Sequence, residues 1–221
     1  MAERTALREA VWASAGILVL IGGVKILQGV VPGWVGSVAI TAVWAVQLYG
    51  PFLRADRGDV SLAELGLRSD RLRADAGWGL AMAAAITVPY AAGAWWWMGS
   101  PSEVALRLPK SWSAGFLLEL AVVAVAEEAF FRGYLQSRFD AAWGTVRRIG
   151  GAAVGGGLFA ASAVFAAAHF AGEWNPARLA PFFPSLLFGW LRARTGAIWG
   201  AAGFHAYCNL LQDLVNAGFR P

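Results

Sequence analysis

Long apolar runs alternate with short polar segments along most of the chain. Most of these runs contain the roughly 20 residues that an α-helix needs to cross a bilayer. The shortest begins with PFFP, and we expect it to be kinked or to cross only in part. We predict an all-α, polytopic transmembrane helix bundle with spans at Val11–Val31, Trp34–Leu53, Gly77–Gly99, Ser113–Phe139, Gly151–Phe170, Leu179–Leu191 and Ala197–Ala217.

Basic residues are distributed unevenly between the two predicted sides of the membrane. With the N-terminus in the cytoplasm, twelve lie inside and four lie outside, while Lys25 and Arg132 fall within spans. This bias follows the positive-inside rule and predicts about seven spans with the N-terminus inside. The outer group is Arg107, Lys110, Arg178 and Arg220, and the inner group is Arg4, Arg8, Arg54, Arg57, Arg68, Arg71, Arg73, Arg138, Arg147, Arg148, Arg192 and Arg194.

The composition also indicates an integral membrane protein. Of 221 residues, 58% are hydrophobic and 14% are charged, whereas about a quarter are charged in a soluble domain. A soluble helical protein with a large core is the alternative, but the chain has too little polar sequence to cover such a core. The net charge of +4 comes from scattered basic residues and not from a patch, which argues against nucleic acid as a partner.

Several other features concern the organisation of the chain. Glu3 and Glu9 precede a first apolar run with no evident cleavage site, so we expect that run to remain as a span and not to act as a signal peptide. No repeat or shift in composition divides residues 1–221, which predicts one domain. The polar segment DVSLAELGLRSDRLR (59–73) is expected to lie on the cytoplasmic membrane surface. The glycines of GGAAVGGG (150–157) are expected to let helices pack closely.

The residues that carry chemistry are polar side chains inside the apolar runs. A charge at the bilayer centre costs at least about 2.5–3.5 kcal/mol on insertion scales, so such groups face the bundle interior or a water-filled cavity and mark functional sites. The set comprises Glu127, Glu128, Arg132, His169, His205 and Asn209, with Lys25, Glu119 and Asp213 nearer the ends of spans.

Helix geometry separates the two adjacent glutamates. Glu128 and Arg132 are four residues apart and share a helix face, so they can form a buried ion pair that stabilises packing. Glu127 points about 100° away and has no partner on its own helix. An unpartnered carboxylate in a partly dry cavity is more basic than one in water, which suits a general base near neutral pH.

The two histidines lie on other predicted helices. His205 and Asn209 are four residues apart and share one face, and both can donate the hydrogen bonds that an oxyanion hole requires. His169 could hold or deprotonate a water beside Glu127. Hydrogen bonds between helices are the structural alternative for such residues. Complementary groups on three helices nevertheless favour a hydrolytic site.

Other site chemistries fit the sequence less well. The chain has no His-Glu-x-x-His motif, and Glu127 and Glu128 diverge, so a zinc site built from two histidines and two glutamates is an unfavoured alternative. Cys208 is the one cysteine, which excludes an internal disulfide and a multi-cysteine metal site. Ser162, Ser185 and Cys208 lack an adjacent base that would make a nucleophile. We predict no metal and no cofactor.

The polar motifs resemble those of the CPBP family of intramembrane proteases, also called the CAAX-protease, bacteriocin-processing or Abi family. Glu-Glu-x-x-x-Arg stands as EEAFFR (127–132), and an aromatic residue separated from a histidine by three residues stands as FAAAH (165–169). His-x-x-x-Asn stands as HAYCN (205–209), and LAELGLR (62–68) is similar to the family's upstream linker. The resemblance covers about residues 60–210, and the order and spacing of the motifs are its most specific feature.

The resemblance implies a glutamic-type intramembrane endopeptidase. Glu127 would activate water with the help of His169. His205 and Asn209 would stabilise the oxyanion, and Glu128 and Arg132 would support the site. Relatives act on prenylated C-termini, on bacteriocin leaders or, in a myxosortase-like branch, on C-terminal sorting tails.

We therefore expect a multi-pass protein of a bacterial cytoplasmic membrane with a membrane-associated protein or peptide substrate. The alternatives are a non-catalytic immunity or assembly protein, a zinc-dependent protease and a proton-coupled transporter. The absence of an inverted repeat weakens the transporter hypothesis.

Overall fold

The computed structural model describes residues 2–57, 60–68, 70–99 and 112–218, and these residues are mostly helical. The helices confirm the predicted helical fold. Arg107, Lys110 and Arg220 of the predicted outer basic group lie outside the described residues. The elements are α1 (Ala2–Gln28), α2 (Gly33–Asp56), α3 (Leu72–Trp97), α4 (Trp112–Leu118), α5 (Val125–Glu128), α6 (Ser137–Trp143), β1 (Thr145–Ile149), β2 (Ala152–Gly155), α7 (Gly156–Glu173), α8 (Phe182–Thr195) and α9 (Trp199–Gly218).

Helices α4, α5 and α6 belong to one long helical stretch, residues 112–143, which we call the motif helix because it carries both adjacent glutamates. Two π-helical segments, Glu119–Ala124 and Ala129–Gln136, join its three α-helical parts. A short 3₁₀ helix, Pro176–Leu179, lies between α7 and α8. Helix α3 packs against α9, and α1 packs against α6 and α7.

Among the described residues, two helices are long and apolar enough, by length and composition, to cross a membrane. They are α1 and α2, with 27 and 24 residues. Each of the seven predicted spans overlaps a helix of the structure, but the number of crossings and the N-in orientation stay predictions. The exposed surface is rich in large apolar side chains, including Trp96 and Trp97, which are 72% and 83% exposed. Exposed aromatic residues of this kind are typical of the interface between membrane and water.

The glycine-rich segment after the motif helix forms a β-hairpin, a local feature that the sequence analysis did not predict. Strands β1 and β2 pair antiparallel, and Ile149 is the partner of Ala152. Gly150 and Gly151 form the two-residue turn with φ of 56° and 83°. Glycine adopts two successive positive φ angles without steric cost, which suits a tight hairpin turn.

The turn also lies against α8, because a Cβ atom at Gly150 would come within 2.9 Å of the Trp190 ring and one at Gly151 within 3.0 Å of Arg194. The two glycines therefore permit a close approach to a helix, as expected, but they do so in a hairpin turn, and α7 begins at Gly156.

The linker between α2 and α3 is attached to the helix bundle. Within its described residues 60–68, Leu65 is fully buried and Val60 is nearly so, while Leu62 is 50% exposed. The Glu64 carbonyl accepts hydrogen bonds from Arg192 Nη2 on α8 at 2.6 Å and from Ser137 Oγ on α6 at 3.1 Å. These contacts hold one side of the linker, and its expected position on the membrane surface stays a prediction.

We predict that Gly133→Ala will displace this linker. A Cβ atom at Gly133 would lie 2.5 Å from the Leu65 carbonyl oxygen, and the contact is with backbone, which cannot rotate away. Overpacking of this kind costs about 1–3 kcal/mol. Thermal unfolding of the purified protein should therefore occur at a lower temperature. The control is Gly115→Ala on the same helix, where an added Cβ meets nothing within 4 Å, and an equal effect of both changes would contradict the prediction.

Candidate active site

The motif helix departs from regular α geometry on both sides of its two glutamates. Glu127 and Glu128 end the short α-helical part between the two π-helical segments. π-Helical turns are rare and occur frequently at functional sites. Because a π turn contains more residues than an α turn, these segments rotate the faces that the helix presents before and after the glutamates. The angle around the helix axis between the Glu119 and Glu128 side chains therefore does not follow from the regular repeat of 3.6 residues per turn.

Glu128 and Arg132 form a buried ion pair, as their spacing of four residues predicts. Arg132 Nη1 lies 3.1 Å from Glu128 Oε1, and their side chains are 1% and 0% exposed. Arg132 Nη2 donates a hydrogen bond of 2.9 Å to Ser185 Oγ on α8. The guanidinium also lies over the ring of Phe165, 4.3 Å from its centroid. The pair thus links the motif helix to α7 and α8, where removal of either charge would leave the other uncompensated.

His205 lies between the two glutamates. Its Nδ1 is 2.9 Å from Glu128 Oε1, and its Nε2 is 3.8 Å from Glu127 Oε2. The ring stacks on Phe188 with an interplanar angle of 14°. An ionised carboxylate only accepts hydrogen bonds, so the Nδ1 hydrogen faces Glu128. The Nε2 atom then faces Glu127, and the partner that Glu127 lacks on its own helix is supplied by α9.

The four groups form a row in which the formal charges can alternate. The order is Glu127, His205, Glu128 and Arg132. The row is neutral when Glu127 and His205 share one proton, and neutrality matters because an uncompensated buried charge has a large desolvation cost. Glu127 Oε2 is buried without a hydrogen-bond partner among the described residues. This oxygen and His205 Nε2 lie 3.8 Å apart, a separation at which one water molecule can hydrogen-bond to both.

His169 lies on α7, near the aromatic residues that surround Arg132. Its Nδ1 is 3.0 Å from the Phe165 carbonyl oxygen, and since a carbonyl only accepts, Nδ1 carries the hydrogen and Nε2 is a free acceptor. The Phe165 ring packs against both histidines, with centroid distances of 4.4 Å to His169 and 5.7 Å to His205. In the part of the chain that the structure describes, no hydrogen bond or ion pair joins His169 to Glu127.

Asn209 contacts a glutamate that the sequence analysis did not assign to the site. Its Nδ2 donates a 2.6 Å hydrogen bond to Glu119 Oε1, and Glu119 begins the first π-helical segment. His205 and Asn209 both face the motif helix, and each contacts one of its glutamates. The sequence placed Glu119 near a span end. The π-helical segment between Glu119 and Glu127 changes the helical phase, so their spacing in the sequence did not show that Glu119 faces α9.

Asp75 is a second residue that the sequence analysis missed. It is 1% exposed, and its Oδ2 accepts a 2.9 Å hydrogen bond from the Gly200 backbone N–H at the start of α9. A carboxylate at a helix N-terminus satisfies a free N–H group and interacts favourably with the helix dipole. Asp75 therefore fixes the beginning of the helix that carries His205 and Asn209. No local sequence signal links Asp75 to Gly200.

The described residues contain no group of three or more His, Cys, Asp or Glu side chains arranged to hold a metal ion. The hydroxyl of Ser185 is engaged with Arg132, and Cys208 is a free thiol.

Comparison with known proteins agrees with the motif resemblance. Residues 109–211 match the family model described as Type II CAAX prenyl endopeptidase Rce1-like. The matched region, a little under half of the chain, contains all three motifs that carry the predicted site. It confirms the resemblance to the CPBP and CAAX-protease family. No curated protein and no solved structure matches the chain.

Proposed function

Because residues 109–211 match the family model of the Type II CAAX prenyl endopeptidase Rce1-like proteins, we propose that this membrane protein is an intramembrane endopeptidase. It hydrolyses a peptide bond of a membrane-associated protein with a water molecule that Glu127 activates. The main support is the buried Glu127 Oε2 atom, which has no hydrogen-bond partner among the described residues and lies 3.8 Å from His205 Nε2. A water molecule can hydrogen-bond to both atoms at this separation, and the carboxylate can accept its proton.

The proposed reaction begins with a water molecule hydrogen-bonded to Glu127. The water oxygen attacks the scissile carbonyl carbon, and the released proton passes to Glu127. Negative charge then develops on the former carbonyl oxygen, where hydrogen-bond donors stabilise it. When the carbon–nitrogen bond breaks, Glu127 returns its proton to the leaving amine, so that one water is consumed and the protein is regenerated.

Three other side chains have proposed catalytic roles. His205 and Asn209 stabilise the oxyanion, and His205 Nε2 can donate only when its ring carries the proton that it shares with Glu127. His169 presents Nε2 as an acceptor that holds the water. These residues lie on α7 and α9.

Glu128 and Arg132 have a supporting role. Glu128 orients His205 through its 2.9 Å contact with Nδ1, and Arg132 compensates the charge of Glu128. A carboxylate on the second nitrogen of a histidine fixes the tautomer and the ring orientation, as in other hydrolytic sites.

We propose that the whole chain, residues 1–221, is one multi-pass protease domain of a bacterial cytoplasmic membrane. Its substrate would be a C-terminal tail or a leader peptide that lies near the bilayer. No contact among the described residues favours the alternative of a non-catalytic immunity or assembly protein. The experiment below distinguishes this alternative from the protease.

Comparative membrane proteomics tests this function in cells. Cells with the wild-type protein and cells with Glu127→Gln should differ in one or a few membrane proteins, which keep an uncleaved tail or leader in the variant. Gly115→Ala serves as the control and should match the wild type. Identical proteomes with an unchanged cellular phenotype would support the non-catalytic alternative. Stoichiometric metal in the purified protein, with loss of cleavage on chelation, would support the zinc-dependent alternative.

A further inference from the structure

The hydrogen bond between Asn209 and Glu119 links the last residue of the HAYCN motif to a residue outside all the motifs. The donor is Asn209 Nδ2 and the acceptor is Glu119 Oε1, at 2.6 Å. Both residues are partly buried. A bond this short to a carboxylate is typical of a charge-assisted hydrogen bond, which is about twice as strong as a neutral one. It is therefore strong enough to hold the Asn209 side chain in one orientation.

The chemistry of the two groups determines that orientation. An asparagine side chain ends in an oxygen that accepts and a nitrogen that carries two hydrogens, and rotation by 180° exchanges them. An ionised carboxylate only accepts, so it selects the rotamer in which Nδ2 faces Glu119. One N–H of Nδ2 is then used, and the second stays available to a further acceptor. Without Glu119, the amide oxygen could occupy the position of the nitrogen and would repel an oxyanion.

The position of Glu119 fits this role. It lies eight residues before Glu127 on the motif helix, at the start of the first π-helical segment, and this segment packs against α9. On α9, His205 contacts Glu128 and Asn209 contacts Glu119, so two glutamates of one helix hold both candidate oxyanion donors.

We infer that Glu119 is a positioning residue that orients the Asn209 carboxamide so that its second N–H can donate to the oxyanion. This inference rests on the proposed function, because it assumes that Asn209 stabilises an oxyanion. Glu119 itself need not touch the substrate. The requirement is for an acceptor at this position, and glutamine should therefore replace glutamate better than methionine does.

The first arm of the test observes the amide directly and needs no substrate. The full-length chain contains three asparagines, Asn175, Asn209 and Asn216. Selective ¹⁵N-asparagine labelling of the protein in nanodiscs therefore gives three side-chain NH₂ signals, and Asn209→Ala identifies the one of interest. In the wild type, one Asn209 proton should be shifted downfield by the carboxylate. In Glu119→Met this shift should disappear, and an unchanged Asn209 signal would overturn the inference.

The second arm measures cleavage of an internally quenched peptide with the sequence of the tail that accumulates in Glu127→Gln cells. Loss of an oxyanion donor costs about 10²–10³ in kcat, so a misoriented Asn209 should lower kcat by about tenfold or more. KM should stay within about twofold, because the interaction forms only in the transition state. Glu119→Gln should keep more activity than Glu119→Met. Adding Glu119→Met to Asn209→Ala should cause no further loss, since the two residues act as a unit.

Matched controls separate the two hypotheses. Gln212→Leu replaces an exposed polar side chain about one turn beyond Asn209 on the same helix and should leave kcat unchanged. If Glu127→Gln is inactive while Glu119→Met keeps the wild-type kcat, the inference about Glu119 is wrong and the proposed function stands. If Glu127→Gln keeps full activity, the proposed role of Glu127 is wrong, and the spectrum of Asn209 alone decides whether Glu119 orients it.

Discussion

Replacing Glu127 with glutamine will abolish peptide hydrolysis by the purified protein and leave its fold intact. Glutamine has the size of glutamate but cannot take a proton from water. Loss of a general base lowers the rate by about 10²–10⁴, which brings the cleavage near the detection limit of a peptide assay. The fold should persist because Glu127 makes no hydrogen bond in the described structure and its 3.8 Å contact with His205 is long.

The measurement is single-turnover cleavage in detergent or nanodiscs, with thermal unfolding recorded on the same preparation. Glu64→Gln is the control, since Glu64 lies on the linker and its pKa is already lowered by hydrogen bonds from Ser61. That carboxylate is ionised at neutral pH and therefore unsuited to act as a base. Full activity in Glu127→Gln would show that another group activates the water.

Replacing Arg132 with methionine will destabilise the protein more than any surface charge change. Methionine keeps an unbranched apolar stem but removes the cation, which leaves Glu128 buried at 0% exposure without its compensating charge. Breaking a buried pair in this way costs about 3–5 kcal/mol. The change also removes the hydrogen bond to Ser185 and the contact with the Phe165 ring.

Thermal or denaturant unfolding in detergent measures this loss. Arg178→Met provides the comparison, because Arg178 pairs with Glu173 at 2.9 Å and their side chains are 40% and 50% exposed. Exposed pairs contribute about 0–1 kcal/mol, so this control should unfold close to the wild type. Equal stability of the two variants would mean that burial of the Glu128–Arg132 pair has no energetic consequence.

The sequence was sufficient for features that depend on one helix. The four-residue spacing of Glu128 and Arg132 predicts a shared face, and the structure contains their ion pair. The same spacing puts His205 and Asn209 on one face of α9, and both side chains face the motif helix. Local helical geometry determines these relations, and the surrounding fold does not change them.

Features that depend on packing between helices did not follow from the sequence. The glutamate that each α9 side chain contacts depends on the angle between two helices and on the π-helical segments, which shift the phase of the motif helix. Asp75 and Gly200 are 125 residues apart, and only the packing of α3 against α9 brings them together.

The hairpin could have been predicted, because the sequence contains a recognisable pattern for its turn. Gly150 and Gly151 stand between the β-prone segment TVRRI and the start of β2, and a glycine pair in that position favours a two-residue turn. The high apolar content of the following helix α7 led to a predicted span that began too early. Hydropathy alone did not separate the strand Ala152–Gly155 from the helix behind it.

The placement of the Glu128–Arg132 pair within one helix has a consequence for biosynthesis. Both charges emerge from the ribosome in the same segment, so each can neutralise the other while that segment enters the membrane. Glu127 and Glu119 have their partners on α9, His205 and Asn209, which follow them by 78 and 90 residues in the sequence. The motif helix must therefore hold two unpartnered carboxylates until α9 arrives, and the candidate site can be completed only after α9 has been translated.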